Sequence, residues 1–133
     1  MSTNRYVVDA WAWIEYLKGT TIGLFVKKEI EGNEILTNVV TLSEVMSKFQ
    51  RDGQDVDEGF QAVTSLSKMI VVNEQFAKGV GVLHAETKKT RSNFSLADAY
   101  ALYTARKFHA KVLTGDLDFK GLKDAVIIKK LIA

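Results

Sequence analysis

The 133-residue chain contains no cysteine and no proline. Without cysteine there are no disulfides and no thiolate metal sites, which argues against a small secreted scaffold. Without proline no proline-marked linker exists, and no repeat or low-complexity tract divides the chain. Histidine is scarce: His84 falls mid-helix and His109 at a helix end, and both read as structural. A zinc site of the nitrogen and sulfur type is therefore poorly supplied. No apolar run is long enough to span a bilayer, and the opening MSTNRYVVD lacks a signal core. A cytoplasmic protein with no membrane partner is the expectation. The net charge of +2 permits a nucleic-acid partner without arguing for one.

What is present fits one soluble domain over residues 1–133, long enough to bury its own core. The stretch from Phe94 to Phe119 organises it. From Ser95 to Phe108 the residues are apolar on nearly every face, including Leu96, Ala99, Leu102 and Ala105, as in a helix at a domain centre. Asp98 sits in its first turn, where a charge is costly without compensation. Lys111–Thr114 follows as a short strand, leading into Gly115-Asp116-Leu117-Asp118.

Elsewhere Arg5–Val8, Glu34–Val39, Met69–Val72 and Ala125–Ile128 read as strands. Ala10–Leu17, Ile22–Ile30, Thr41–Gln50, Val56–Leu66 and Gln75–Lys89 read as helices. The stripe Phe60, Val63, Leu66 marks the inner face of the fourth of these. Short apolar strands alternating with helices indicate an α/β domain with a largely parallel sheet.

In right-handed β-α-β units the first turn of each helix lies at the carboxyl ends of the strands. Asp9 ends the first strand and Asp116 the fourth. Glu44 and Asp98 lie in the first turns of helices that start on the same rim. Four carboxylates thus share one sheet edge, with Asp118 beside them. Each also has a plain structural use. Thr41-Leu42-Ser43-Glu44 and Ser95-Leu96-Ala97-Asp98 fit helix-start patterns, Asp9 fits an N-cap, and Asp116 and Asp118 fit turn positions. Capping accounts for each acid separately but not for their common rim. Crowded carboxylates raise one another's pKa unless a cation neutralises them. Oxygen donors suit Mg²⁺ or Mn²⁺, and such an ion suits phosphodiester hydrolysis.

Four segments, Tyr6-Val7-Val8-Asp9-Ala10, Leu42-Ser43-Glu44-Val45, Ser95-Leu96-Ala97-Asp98-Ala99 and Leu113-Thr114-Gly115-Asp116-Leu117-Asp118-Phe119, resemble the acidic motifs of PIN-domain ribonucleases. Their order, their spacing and the chain length resemble the VapC-type toxins of toxin–antitoxin pairs. The resemblance implies a three-layer α/β/α fold whose central parallel sheet has strand order 3-2-1-4-5. It implies Mg²⁺- or Mn²⁺-dependent endonuclease action on RNA. It carries Asp9, Glu44, Asp98 and Asp116 over as metal-binding catalytic acids, with Asp118 as an accessory ligand. It also implies a homodimer and an inhibitory antitoxin partner. One position departs from the pattern. The family commonly has a small polar residue two places after the first acid, and here Trp11 stands there. The departure bears on the hydrogen bonding around Asp9 and on the entrance to the site.

For the RNA backbone, Lys88, Lys89 and Arg91 in the loop before the Asp98 helix are the basic candidates, against a reading as a solvated helix end. Trp11 and Trp13 offer stacking faces but read more readily as core. Two other classes stay open: a different metal-dependent phosphoryl hydrolase (DNA nuclease or phosphatase), and a non-catalytic PIN-like binding domain.

Overall fold

The computed structural model describes residues 4–128. In chain order the elements are β1 (Arg5–Val8), α1 (Ala10–Lys18), α2 (Thr21–Gly32), β2 (Glu34–Asn38), α3 (Val39–Arg51), α4 (Val56–Leu66), β3 (Lys68–Ile70), α5 (Glu74–Lys88), α6 (Leu96–Lys107), β4 (Lys111–Thr114) and β5 (Ala125–Ile127). A 3-10 turn, Leu117–Phe119, lies between the last two strands.

Alternation along the strands builds the layers. Val7, Leu36 and Val112 point to one face, where they pack with α5 and α6 residues such as Phe76, Val80 and Leu102. Their neighbours Val8, Ile35 and Leu113 point to the other face, against Trp13, Val26, Val45 and Val63 of α1 to α4. A period of two thus feeds two separate cores from one sheet. All strand pairs are parallel and the order is β3-β2-β1-β4-β5. The result is the three-layer α/β/α architecture.

Helix α6 is central, with Ala99, Ala101, Leu102, Thr104 and Ala105 buried. Its N-terminal end is not: Leu96, expected inside, is 50% exposed. Phe60 and Leu66 are also exposed, and only Val63 of that stripe is fully buried. Strand β2 stops one residue short of the expected end. Buried Asn38, the last residue of the strand, also caps α3, its Oδ1 accepting from the Thr41 N–H at 2.8 Å. Val39 therefore opens the helix, and Thr41 is not its cap. Strand β3 ends at Ile70 and β5 at Ile127, each short of its expected limit.

Several polar bonds tie helices to the rim. Trp13 donates its indole N–H to Thr37 Oγ1 at 3.1 Å, so this tryptophan is core. Asn38 Nδ2 reaches Thr104 Oγ1 at 3.2 Å and joins the end of β2 to α6. Phe94 and Phe119 meet edge-to-face at 5.2 Å, both fully buried, and bring the loop before α6 against the turn after β4. His84 holds the same loop, its Nε2 lying 3.1 Å from the Phe94 carbonyl. No helix among the described residues is long and apolar enough to cross a membrane.

Candidate active site

The carboxyl edge of the sheet carries a cavity of about 450 Å³ lined by Asp9, Trp11, Glu44, Asp98 and Asp116, among others. Each acid arrives there by a local rule. Asp9 directly follows β1, where its N–H still donates to the Leu113 carbonyl of β4. Its Oδ1 accepts from the Ala12 N–H at 2.9 Å and so caps α1. Its Oδ2 accepts a short hydrogen bond from the Thr114 hydroxyl. Burial pushes the Asp9 carboxyl up to about 7, against these two bonds and reinforced by Asp98 and Asp116.

Thr114 closes β4 and is fully buried. Its Oγ1 donates to Asp9 and accepts from the Asp116 N–H at 2.9 Å. Asp116 stands two residues past the strand, and its Oδ1 accepts from the Asp118 N–H at 2.8 Å, opening the 3-10 turn. One chain of hydrogen bonds therefore sets the positions of Asp9, Asp116 and Asp118. The acidic pattern of the sequence does not mark Thr114 as a site residue. The available signal was a hydroxyl at the last position of a buried strand, next to a Gly-Asp step.

Asp98 makes a complete capping box with Ser95. The Ser95 hydroxyl accepts from the Asp98 N–H at 3.0 Å, and the Asp98 carboxylate accepts from the Ser95 N–H at 2.9 Å. Desolvation raises its pKa, the Ser95 bonds oppose the shift, and Asp116 and Asp118 add to it. The structural use of this acid is real, and it coexists with a strained electrostatic position.

Glu44 differs from expectation. Because α3 starts at Val39, Glu44 occupies its second turn rather than its first. Helix-start capping therefore does not explain it. It stands exposed at the cavity wall, and partial desolvation together with Asp98 raises its pKa.

Carboxylate oxygens of Asp98, Asp116 and Asp118 lie within 4.8 Å of one another, a spacing that allows a shared cation. The trio includes Asp118 and omits Asp9 and Glu44, whereas the cavity lining includes those two and omits Asp118. Asp98 and Asp116 belong to both sets and join them. The donors are all oxygen, and neither histidine lines the cavity. This chemistry fits a hard cation such as Mg²⁺ or Mn²⁺.

The basic residues behave unequally. Lys88 closes α5, with its ammonium on the Ser92 carbonyl at 2.9 Å. Lys89 is exposed and pairs with Glu86 at 3.1 Å. Arg91 donates to the carbonyls of Asp118 at 2.9 Å and Lys120 at 2.6 Å, bracing the turn that carries Asp118. The loop does reach the rim, as expected, but through a structural arginine. Trp11 lies against Gly115, where an added Cβ would come within 2.3 Å of the indole. The glycine gives the tryptophan its place at the mouth.

A family profile described as the PIN domain matches residues 6–125. The chain belongs to the PIN domain family. Among solved structures, this PIN domain is similar to a toxin–antitoxin complex from Klebsiella pneumoniae, with TM-score 0.71, 18% identity, and coverage of 92% of this chain and 97% of that one. It is similar to VapBC2 from Rickettsia felis bound to a promoter DNA fragment, with TM-score 0.70, 13% identity and coverage of 92% and 96%. It is also similar to Mycobacterium tuberculosis VapC20, described as a Sarcin-Ricin loop cleaving toxin, with TM-score 0.71, 14% identity and coverage of 90% and 95%. At such identities the likeness shows the fold. Among curated proteins, none matches this sequence.

Proposed function

We propose that this PIN domain is a Mg²⁺- or Mn²⁺-dependent endoribonuclease and the toxin of a toxin–antitoxin pair. The observation that carries the reading is the meeting of Asp98, Asp116 and Asp118 within 4.8 Å, beside a cavity that Asp9 and Glu44 also line. Desolvated carboxylates with raised pKa are the environment a cation relieves. The toxins and toxin–antitoxin complexes that share the fold support the biological part of the reading.

In this reading Asp9, Glu44, Asp98 and Asp116 are the catalytic acids that hold the cation, with Asp118 as a further ligand. When bound, such an ion activates water and stabilises charge building on a phosphate. The protein's own groups supply position. Thr114 fixes the Asp9 carboxylate, the Asp116 carboxylate is held by the Asp118 N–H, and the Ser95 box aims Asp98. In this reading Lys88 and Lys89 meet the RNA backbone, and Arg91 keeps the Asp118 turn in place. The chain acts as one PIN-like domain over residues 1–133 in the cytoplasm. It forms a homodimer and takes a protein antitoxin, for which exposed apolar side chains such as Leu24, Phe60, Val71 and Leu117 offer surface.

The capping box at Asp98 favours one other reading, a PIN-like binding domain without catalysis. Incubation with total cellular RNA, with and without Mg²⁺ or Mn²⁺, separates the two when cut sites are mapped by sequencing. Discrete metal-dependent cuts are expected, and Asp9→Asn or Asp116→Asn should each abolish them. Intact RNA under every condition would overturn the ribonuclease reading.

A further inference from the structure

A second groove, of about 730 Å³, opens beside the acid cavity between α1 and α3, and both are lined by Ala10, Trp11 and Glu44. We infer that this groove is the track by which single-stranded RNA passes the acid cavity, with a base on Trp11 and backbone phosphates on Lys48 and Arg51. The inference rests on the ribonuclease reading and names the binding surface it requires.

The layout of α3 supports it. Glu44, Ser47, Lys48 and Arg51 line the groove at helix spacings of three, four and seven, so they form one stripe. At 1.5 Å rise per residue, Lys48 stands about 6 Å and Arg51 about 10 Å along the axis from Glu44. Charge changes sign along this stripe, from the acid at the cavity to cations further out. An RNA strand with one phosphate at the acids thus meets cations for the phosphates that follow. Arg51 makes no ion pair among the described residues. Lys48 shares Asp52 with Lys18, which holds that carboxylate more closely, at 2.7 Å against 3.3 Å. Glu15, the other acid on the groove wall, accepts from the Thr20 hydroxyl through one oxygen and keeps its charge, on α1 opposite the α3 stripe.

Trp11 stands where the two cavities join, and Gly115 leaves room for its ring. Trp13 is sealed in the core, whereas Trp11 is partly buried and packs against the edge of that core. An indole at that junction can stack on any base, so it grips a strand without reading its sequence.

The test measures binding of a short, unstructured, fluorescein-labelled RNA by anisotropy, in chelator and across a salt series. Trp11→Leu should weaken binding about tenfold, while Trp11→Phe, which keeps a ring, should stay within about threefold of wild type. Arg51→Ala should lower the slope of log affinity against log salt by about 0.7, the loss of one phosphate contact on a single strand. Melting curves identify any variant that fails to fold, and exposed Arg51 then decides the question. Wild-type slopes and affinities in Arg51→Ala and Trp11→Leu, alongside metal-dependent RNA cutting by the wild type, would overturn the groove and leave the ribonuclease reading standing. A wild type that neither binds nor cuts RNA would overturn both.

Discussion

The hydroxyl of Thr114 is the smallest part of the acid site and settles the most. It is fully buried, and it serves two polar groups at once, the Asp9 carboxylate and the Asp116 N–H. Thr114→Val keeps the shape and removes both bonds. The loss should destabilise the metal-free protein by about 1–3 kcal/mol, since buried polar groups lose their partner. Thr114→Ser should recover most of this in chemical denaturation. A valine variant as stable as the wild type would mean that the hydroxyl does not hold the two acids. Residue identity was the layer of the site least legible in the sequence. Asp9, Asp98 and Asp116 could be placed on a common rim from motif and topology, but the threonine that links them carries no charge and follows no spacing rule. Arg91 shows the reverse problem. Its charge points to RNA, whereas its Nη1 donates to two backbone carbonyls that only the folded turn brings within reach.

Elements were far more legible than contacts. Strands β1 and β4 and helix α4 have the limits their apolar patterns predict, because Asp9, Asp55 and Gly115 punctuate them sharply. The sequence pattern starts α3 two residues late because Asn38 is buried at the end of a strand and looks like its continuation. Only the hydrogen bond to Thr41 reveals it as a cap. That shift of two residues moved Glu44 from the first turn into the second and removed the capping account of it. Periodicity places Phe60 and Leu66 inside, and the all-round apolar helix does the same for Leu96, but outer helix faces and ends can expose apolar groups at little cost. Between α1 and α2 the packing is closer than any pattern indicates. A Cβ on Gly23 would lie 2.1 Å from the Glu15 carbonyl oxygen, which is backbone and cannot swing aside. Gly23→Ala should therefore push the two helices apart and destabilise the fold by about 1–3 kcal/mol. A thermal melt checks it, and an unchanged midpoint would show that the helices slide freely.

At the scale of the whole molecule, a parallel sheet gathers acids from distant parts of the chain onto one edge, and the assembly carries an electrostatic cost. Asp9 has its pKa raised to about 7, and those of Asp98 and Glu44 are also raised. A carboxyl with a raised folded pKa binds more protons folded than unfolded, so stability declines as pH rises from about 4, the unfolded value, towards 7. Metal-free protein should thus become easier to denature across that window, and Asp9→Asn should flatten the trend. A stability that rises with pH there would contradict the desolvation and mutual repulsion of these acids. The edge itself was legible from topology, because helix starts and strand ends must coincide in right-handed units. The second groove was not, since its walls come from two helices whose spacing only packing decides. The claim that these acids form one cation site is tested most directly by melting wild type and Asp98→Asn in chelator and then with Mn²⁺. Asparagine keeps an acceptor for the Ser95 N–H and removes the charge. In chelator the variant should melt at or above the wild type. Mn²⁺ at a hundredfold excess over its Kd should stabilise the wild type by about 2.7 kcal/mol, and the variant much less. A variant that melts lower in chelator and responds to Mn²⁺ as the wild type does would reduce Asp98 to a helix cap and contradict the site.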